Sequence, residues 1–160
     1  MDREQAEREV QVLSSHPDPA ARVRAARDLG GTGGDPAIGA LVRALHDPVK
    51  EVRAEAAGAL AAIGLPALGA LTGALGDGDW VVRYRAAEAL GFIRDGRSFT
   101  ALAGALGDER DHVRYMAAKG LGKIGDRRAE SPLTMALSDE NPFVRRAARD
   151  ALAALRARPA

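Results

Sequence analysis

Apolar residues recur along the chain with the spacing of an amphipathic helix. In one stretch, Val82, Ala86, Ala87, Leu90 and Ile93 fall at offsets of 0, 4, 5, 8 and 11 residues. At about 100° per residue these positions gather on one face. The pattern predicts a helix with one buried side.

The same pattern returns at a nearly constant interval. An arginine followed seven residues later by a leucine occurs five times, in steps of 31, 30, 31 and 31 residues. These arginine–leucine pairs are Arg22 and Leu29, Arg53 and Leu60, Arg83 and Leu90, Arg114 and Leu121, and Arg145 and Leu152. A second leucine column keeps the same register and consists of Leu41, Leu71, Leu102 and Leu133. A repeat of this length predicts stacked helical units, with the one-residue deletion of the second unit in a turn.

Capping residues suggest where the helices begin and end. Polar residues suited to an N-cap precede the apolar pattern at Asp18, Asp79, Asp111 and Asn141. Glycines suited to closing a helix follow it at Gly33, Gly64 and Gly125. A shorter second helix is predicted in each unit, from about Pro36, Pro66, Arg97 and Arg128. Each unit is therefore expected to be a helical hairpin.

A hairpin of this size cannot bury both apolar faces alone, so neighbouring units are expected to share one core. The predicted fold is an all-α, right-handed α–α superhelix of about ten helices, forming a single domain over residues 1–160. Residues 2–14 are expected to form an N-terminal capping helix. Four repeats follow at about 16–45, 46–75, 76–106 and 107–137, and residues 138–157 form a C-terminal half repeat.

Composition supports helices and excludes several kinds of chemistry. Hydrophobic residues make up 46% and aromatic residues 4%, which is typical of close-packed Ala, Leu, Val and Ile. The absence of cysteine removes disulfides, thiolate metal sites and thiol nucleophiles, and favours a cytoplasmic location. No run of about 18 apolar residues predicts a membrane span, and the charged first residues predict no secretory signal. A net charge of +1 argues against nonspecific binding to nucleic acid.

Two segments carry a family resemblance. HPDPAARVRAARDLGGTGGDPAIGALVRAL, from His16, and DHVRYMAAKGLGKIGDRRAESPLTMAL, from Asp111, resemble short HEAT-like repeats of the phycobiliprotein-lyase type. The resemblance implies a HEAT-like solenoid. Because that family includes scaffolds, bilin lyase subunits and a relative of a di-iron hydroxylase, it does not imply a single function.

Motifs for catalysis are missing from the sequence. The related hydroxylase of the deoxyhypusine type binds iron through His-Glu dipeptides, whereas the three histidines here are followed by Pro17, Asp47 and Val113. The GGTGG segment lacks the lysine of a phosphate-binding loop, and no Ser-His-Asp arrangement is arguable. We therefore predict no enzymatic activity, no metal and no cofactor. A bilin lyase subunit stays an alternative, because the chromophore is attached to a cysteine of the client.

Aspartate and arginine form two charged columns six residues apart. The aspartates are Asp47, Asp77, Asp108 and Asp139, and the arginines are Arg53, Arg83, Arg114 and Arg145. In resembling proteins such columns bridge successive turns of the solenoid. We expect a ladder of charge-assisted hydrogen bonds that fixes the register of the repeats, with phosphate binding as the alternative interpretation.

The resemblance implies that the second helices line the concave face. Their predicted inward ridge consists mostly of small, uncharged residues, and its only basic residue is Arg43. The other ridge residues singled out as contacts for a partner are Gly73, Gly104 and Met135. The ridge is thus expected to be shallow and nearly uncharged. Glycine within a helix costs about 1 kcal/mol relative to alanine, so the glycines of the ridge need an explanation. They either allow a partner to approach the backbone closely or reflect sequence drift in a repeat that tolerates small residues.

Aromatic residues suggest a second surface. Tyr84 and Tyr115 are predicted to be an exposed pair on the convex side, about 160° from the core direction. Trp80 and Phe143 are expected near the starts of outer helices. Such residues can anchor an interface, although packing against arginine stems explains them equally well.

The two ends of the chain differ in charge. The net charge of the N-terminal end is −2, from the acidic residues Asp2, Glu4, Glu7 and Glu9 and the basic residues Arg3 and Arg8. The net charge of the C-terminal end is +4, from Asp150 and the basic residues Arg145, Arg146, Arg149, Arg156 and Arg158. We expect a monomer, with weak end-to-end association as the alternative.

The function predicted from the sequence is a non-catalytic scaffold for protein–protein interaction. Its partner is expected to be a protein or peptide bound on the concave ridge, with no nucleic acid and no membrane involved. The alternative is an accessory or chaperone-like subunit of a modifying enzyme, similar to a bilin lyase or a deoxyhypusine hydroxylase by resemblance only.

Overall fold

A computed structural model describes residues 2–157 of the chain. These residues form ten α-helices and no strand, which confirms the predicted all-α superhelix. The helices are α1 Arg3–Ser15, α2 Pro19–Leu29, α3 Asp35–Ala44, α4 Lys50–Ile63, α5 Leu68–Ala74, α6 Trp80–Ile93, α7 Phe99–Ala105, α8 Asp111–Ile124, α9 Glu130–Ala136 and α10 Pro142–Arg156. Helix α1 covers the start of the array, and four helical hairpins follow. Helix α10 corresponds to the first helix of a hairpin and is the last helix of the described residues.

Three of the four predicted N-caps are present. The side chains of Asp18, Asp79 and Asn141 accept hydrogen bonds from backbone N–H groups at the starts of α2, α6 and α10. The prediction for Asp111 is wrong, because Arg110 is the N-cap of α8 and Asp111 is its first helical residue. The Asp111 carboxylate instead accepts from the backbone N–H of His112 at 2.8 Å.

Two of the three predicted closing glycines end a helix. Gly64 and Gly125 follow α4 and α8 with φ of 75°, a backbone region in which glycine carries no side-chain strain. Gly33 also has a positive φ of 66°, but it lies in the loop after α2, whose C-cap is Gly30.

Each of α5, α7 and α9 opens with a short 3₁₀ turn, at Leu65–Ala67, Gly96–Ser98 and Arg127–Ala129. Asp95 and Asp126 cap the second and third of these turns with their carboxylates. The first turn lacks this aspartate, because Gly64 leads directly into it. The one-residue deletion of the second unit therefore lies in a turn, and both helices of that unit stay intact.

The two leucine columns form the spine of one continuous core. Eight of their members have no solvent exposure: Leu29, Leu41, Leu60, Leu71, Leu90, Leu102, Leu121 and Leu133. Each fully buried leucine contributes about 1.5–3 kcal/mol relative to an exposed one. Because the spine passes through every hairpin, the units depend on their neighbours for burial.

The solenoid has two layers of unequal packing. We call α2, α4, α6, α8 and α10 the first-helix layer, and α3, α5, α7 and α9 the second-helix layer. Successive members of the first-helix layer pack extensively, whereas successive members of the second-helix layer contact one another sparsely.

Glycine and alanine permit the close packing of the first-helix layer. A Cβ placed on Gly91 would lie 2.9 Å from the Cα of Gly120, and one on Gly122 would lie 2.8 Å from the Cβ of Ala151. These contacts hold neighbouring first helices close together. That the second helices line a concave face stays a prediction.

Candidate functional site

Charged side chains join successive repeats through a regular rung. Arg83 Nε donates to Asp108 Oδ2 at 2.7 Å, and Arg83 Nη2 donates to Asp108 Oδ1 at 2.9 Å. The same arginine donates from Nη1 to the backbone carbonyl of Asp77, six residues earlier, at 2.9 Å. One guanidinium thus ties the loop of its own repeat to the carboxylate of the next.

The rung is repeated at Arg22 with Asp47 and at Arg114 with Asp139, each pair 25 residues apart in sequence. The paired side chains are only 9–12% exposed. Burial alone would raise the pKa of Asp108, but hydrogen bonds from Arg83 and from the Arg110 backbone outweigh it and hold that pKa below its ordinary value. The forks of these arginines face carboxylates, which argues against the phosphate-binding interpretation.

One rung differs from the others. Arg53 donates from Nη1 to the backbone carbonyls of Asp47 and Pro48, but its buried Nε has no hydrogen-bond partner in residues 2–157. Asp77 instead accepts from His46 Nε2, at 3.1 Å. The repeat is one residue shorter here, so the carboxylate is displaced from the regular register.

At the C-terminal end of the column, Arg145 donates to the backbone carbonyls of Asp139 and Glu140. It therefore holds the loop of its own repeat, as the preceding arginines do. The arginines of the charged column thus hold the loops of their own repeats, and at the regular rungs they also connect one repeat to the next.

The ridge residues occupy equivalent positions of the second-helix layer, and all four are exposed. A Cβ at Gly73 or Gly104 would meet no described atom within 4 Å. Met135 is 76% exposed, and Arg43 lies at the other end of the row. No packing within the described chain requires glycine here, so the ridge is open and flat.

The expectation of an exposed tyrosine pair is wrong. Tyr84 and Tyr115 are half-buried and pack against the core. Burial, together with the nearby carboxylate of Glu88, raises the pKa of Tyr84. In an isolated helix these positions would face solvent, but neighbouring first helices cover their flanks.

Trp80 and Phe143, which were predicted near the starts of helices, have opposite environments. Trp80 is covered by Arg110, whose guanidinium carbon lies 4.7 Å from the indole centroid, and by the ring of His112 at 5.3 Å. Phe143, at the start of α10, is 67% exposed. The tryptophan is therefore packed within the surface, whereas the phenylalanine is available to a partner.

A groove of about 710 Å³ runs along the seam of α8 and α10. We call it the C-terminal groove. Its lining residues are Arg94, Tyr115, Lys119, Gly122, Lys123, Phe143, Arg146, Ala147, Asp150, Ala151 and Ala154. The close contact of Gly122 with Ala151 forms its floor. Sequence reasoning missed this site, although the polar positions of α8 and α10 showed an excess of lysine and arginine.

The C-terminal groove carries an excess of positive charge. Four of its lining side chains are cationic, and Asp150 is the single carboxylate in the lining. Within residues 2–157, neither Arg94 nor Lys119 has a carboxylate at ion-pair distance, and Arg146 contacts Asp150 only at 3.9 Å. Burial and the nearby charges of Lys119 and Arg94 lower the pKa of Lys123.

Two cations nearer the N-terminal end of the first-helix layer are neutralised. Arg27 makes a bidentate contact with Glu55 at 2.9 and 3.0 Å. Arg85 donates to Glu88 at 2.7 Å. The cations that line the C-terminal groove, in contrast, share a single lining carboxylate, Asp150.

Aromatic side chains accompany these cations. Lys123 Nζ lies 3.4 Å from the ring centroid of Phe92, and Lys119 Nζ lies 5.3 Å from that of Tyr115. A smaller groove of about 310 Å³ continues the seam toward the helix starts and shares Tyr115 and Phe143 with the C-terminal groove. The surface combines apolar anchors with cations, which suits binding of a ligand that is partly apolar and partly anionic.

Residues 2–157 contain no group of three or more His, Asp or Glu side chains suited to a metal ion. His46 pairs with Asp77, and His112 pairs with Asp111 at 2.8 Å, far apart in the array. In the same range, no single helix is long and apolar enough to cross a membrane. Only α4 taken together with the segment Leu65–Ala74 meets that criterion, across a bend of 116°.

Solved structures show the same architecture. The complex of CpcE and CpcF of phycocyanin lyase from Nostoc sp. PCC7120 matches with a TM-score of 0.68 and 27% identity. The match covers 94% of this chain and 64% of that chain, so this chain spans less than two thirds of its neighbour's length. No curated protein matches the sequence significantly.

Two further structures share the fold at lower identity. Human deoxyhypusine hydroxylase in complex with glycerol has a TM-score of 0.59 and 21% identity, covering 97% of this chain and 75% of that chain. A designed armadillo repeat protein in complex with the peptide (KR)4 has a TM-score of 0.58 and 19% identity, covering 95% and 86%. These two similarities establish the architecture alone.

The family model for HEAT repeats matches residues 7–78 and 68–153. The two matches overlap and together span most of the chain, including every repeat identified from the arginine and leucine columns. This agrees with the resemblance drawn from the sequence. The chain therefore belongs to the family of HEAT-repeat proteins.

Proposed function

We propose that this HEAT-repeat protein is a non-catalytic scaffold that binds a protein or peptide through the C-terminal groove. The observation that carries the proposal is the groove itself, which joins exposed Phe143 to four cations on closely packed helices. A rigid surface of this kind loses little conformational entropy on binding. Enriched aromatic and arginine side chains are also typical of binding hot spots.

The ridge of Arg43, Gly73, Gly104 and Met135 is the second candidate surface. It is exposed along its length, and Met135 offers a flexible apolar contact. It lacks the lining aromatic rings and concentrated charge of the C-terminal groove. We therefore assign the ridge a subordinate role in the proposal.

An accessory role beside a modifying enzyme is the alternative function. It is supported by the similarity to the phycocyanin lyase complex at 27% identity over 94% of this chain. Under this alternative the bound partner would be an enzyme subunit or its client. A visible absorbance band after purification would favour it over a plain scaffold.

The monomeric state and the cytoplasmic location of the protein stay predictions. Arg158, one of the C-terminal cations invoked for end-to-end association, lies outside the described residues.

Affinity capture from native lysate tests the scaffold proposal. The wild-type chain is compared with Lys119→Glu, Arg146→Glu in the groove and with Gly73→Arg, Gly104→Arg on the ridge. All four positions are solvent-exposed, so both variants are expected to keep the wild-type circular dichroism. We expect the groove variant to lose a partner that the ridge variant retains. Identical capture by all three chains would contradict the proposal.

A further inference from the structure

We infer that the C-terminal groove recognises an acidic segment of its partner, in which one apolar side chain stands next to about three carboxylates. The inference rests on the proposed function and adds the chemistry of the partner. It combines two features of the seam between α8 and α10. Within residues 2–157, Arg94 and Lys119 have no carboxylate at ion-pair distance, and an aromatic pair beside them is partly open to solvent.

Charge complementarity selects an anionic occupant. The lining has four cations, Arg94, Lys119, Lys123 and Arg146, against Asp150. Arg27 and Arg85, nearer the N-terminal end of the same layer, already have carboxylate partners. Electrostatic complementarity of this kind steers association and disfavours partners of the wrong charge.

The aromatic pair supplies an apolar anchor. Tyr115 and Phe143 line both the C-terminal groove and the smaller groove beside it. Phe143 is 67% exposed, so most of its ring surface is open to a bound segment. An apolar side chain seated between these rings would bury surface that is exposed in the free protein.

The geometry limits the length and order of the bound segment. Helix α8 has 14 residues and so extends about 21 Å, which matches about six residues of extended peptide. The aromatic pair lies near the helix starts, whereas Lys119, Lys123 and Arg94 lie toward the helix ends. The apolar residue of the segment should therefore stand at one end, with the carboxylates following in one direction.

Interruption of the positive charge along the first-helix layer favours a short acidic segment over a long polyanion. A nucleic acid strand would need a row of cations along the whole layer. Here Arg27 and Arg85 are engaged by Glu55 and Glu88, which interrupts any such row.

Fluorescence anisotropy with the full chain tests the inference. The probe is a fluorescein-labelled synthetic hexapeptide with one leucine followed by three glutamates, and its counterpart has lysines in place of the glutamates. We expect the acidic peptide to bind the wild type at least about tenfold more tightly than the basic one. Its affinity should also fall as salt rises from about 50 to about 300 mM, because exposed charges are screened.

Matched variants identify the surface. Lys119→Glu, Arg146→Glu is expected to weaken binding of the acidic peptide at least about tenfold, and Phe143→Ala about threefold or more. The control Arg8→Glu, Arg24→Glu makes the same change of charge on exposed sites elsewhere and should stay within about twofold of wild type. A neutral variant, Lys119→Ala, Arg146→Ala, keeps the test valid if charge reversal disturbs α8 or α10.

Equal binding of both peptides, or equal loss in the groove and control variants, would overturn the inference. If the acidic peptide does not bind although the groove variant loses its captured partner, the acidic segment is wrong and the scaffold proposal stands. If the groove variant captures the same partners as wild type, the scaffold proposal fails at this site. Self-association that the groove variant abolishes, measured by sedimentation velocity, would assign the groove to a second copy and overturn the inference.

Discussion

Backbone contact between α8 and α10 makes Gly122 intolerant of any side chain. The Cβ of Gly122→Ala would lie 2.8 Å from the Cβ and 2.9 Å from the Cα of Ala151. Because the obstructing atoms belong to the backbone of α10 and its first side-chain carbon, rotation of a side chain cannot relieve the overlap. The two helices would have to separate.

Gly58 provides the opposite case in an equivalent helix. It lies in the interior of α4, is exposed, and a Cβ there would meet no described atom within 4 Å. Overpacking costs about 1–3 kcal/mol, while glycine to alanine within a helix gains about 1 kcal/mol. We therefore expect Gly122→Ala to lower the free energy of unfolding by about 2 kcal/mol at most, and Gly58→Ala to raise it by about 1 kcal/mol.

Thermal unfolding followed by circular dichroism measures this contrast. For a chain of this size 1 kcal/mol corresponds to about 2–4 °C in Tm. Gly122→Ala should therefore lower Tm by up to about 8 °C, and Gly58→Ala should raise it by about 2–4 °C. Equal shifts in the same direction would refute the claim that the first-helix layer is held in backbone contact.

Three further predictions follow from the rungs and the groove. Asp139→Ala should lower the free energy of unfolding by about 2 kcal/mol in urea titration, because it removes two hydrogen bonds of the nearly buried Arg114 guanidinium and leaves the exposed Glu140 as its remaining carboxylate partner. Asp77→Ala should cost about 1 kcal/mol or less, because Arg53 makes no bond to that carboxylate. Equal losses would contradict the distinction. Hydrogen bonding holds the pKa of Asp47, Asp108 and Asp139 below the ordinary value despite burial. Their stabilisation is thus present above the unfolded pKa of about 3.9 and is lost as pH falls through the native pKa. Urea midpoints measured from pH 6 to about pH 2 should fall below about pH 4, and Asp108→Asn, Asp139→Asn should show a shallower fall; an unchanged slope would mean that these rungs do not control the acid response. Phe143→Ala should change Tm by less than about 2 °C, because the ring is 67% exposed, and a larger decrease would indicate a structural role.

The repeat and its helices could be predicted from the sequence because they depend on local spacing. The leucine columns specify which side of each helix is buried, and their shared register specifies stacked hairpins. Even the deletion near Gly64 could be placed, since a turn tolerates the loss of a residue that a helix does not.

Contacts between repeats were harder to predict. The sequence showed aspartate and arginine columns, but not that an arginine reaches the carboxylate 25 residues later while holding the carbonyl six residues earlier. It also gave no indication that the shortened second repeat leaves Arg53 outside the regular pattern. These features depend on how two loops lie in space.

The C-terminal groove could not be predicted from the sequence, because it depends on how closely neighbouring first helices approach. Small residues at Gly91, Gly120, Gly122 and Ala151 draw the first helices together, whereas the same residue type at Gly73 and Gly104 has no such effect. Glycine content alone could not distinguish these cases. For the same reason Tyr84 and Tyr115, exposed in a single helix, are half-buried in the array.

Amide chemical-shift mapping tests most directly the claim that partners bind the seam of the first-helix layer. The ¹⁵N-labelled chain is titrated with the acidic hexapeptide, and shifts are followed along α8, α10 and the ridge. We expect the largest changes at Tyr115, Lys119, Lys123 and Arg146, with Gly73 and Gly104 unaffected. Changes concentrated on Gly73 and Gly104, with α8 and α10 unmoved, would contradict the account.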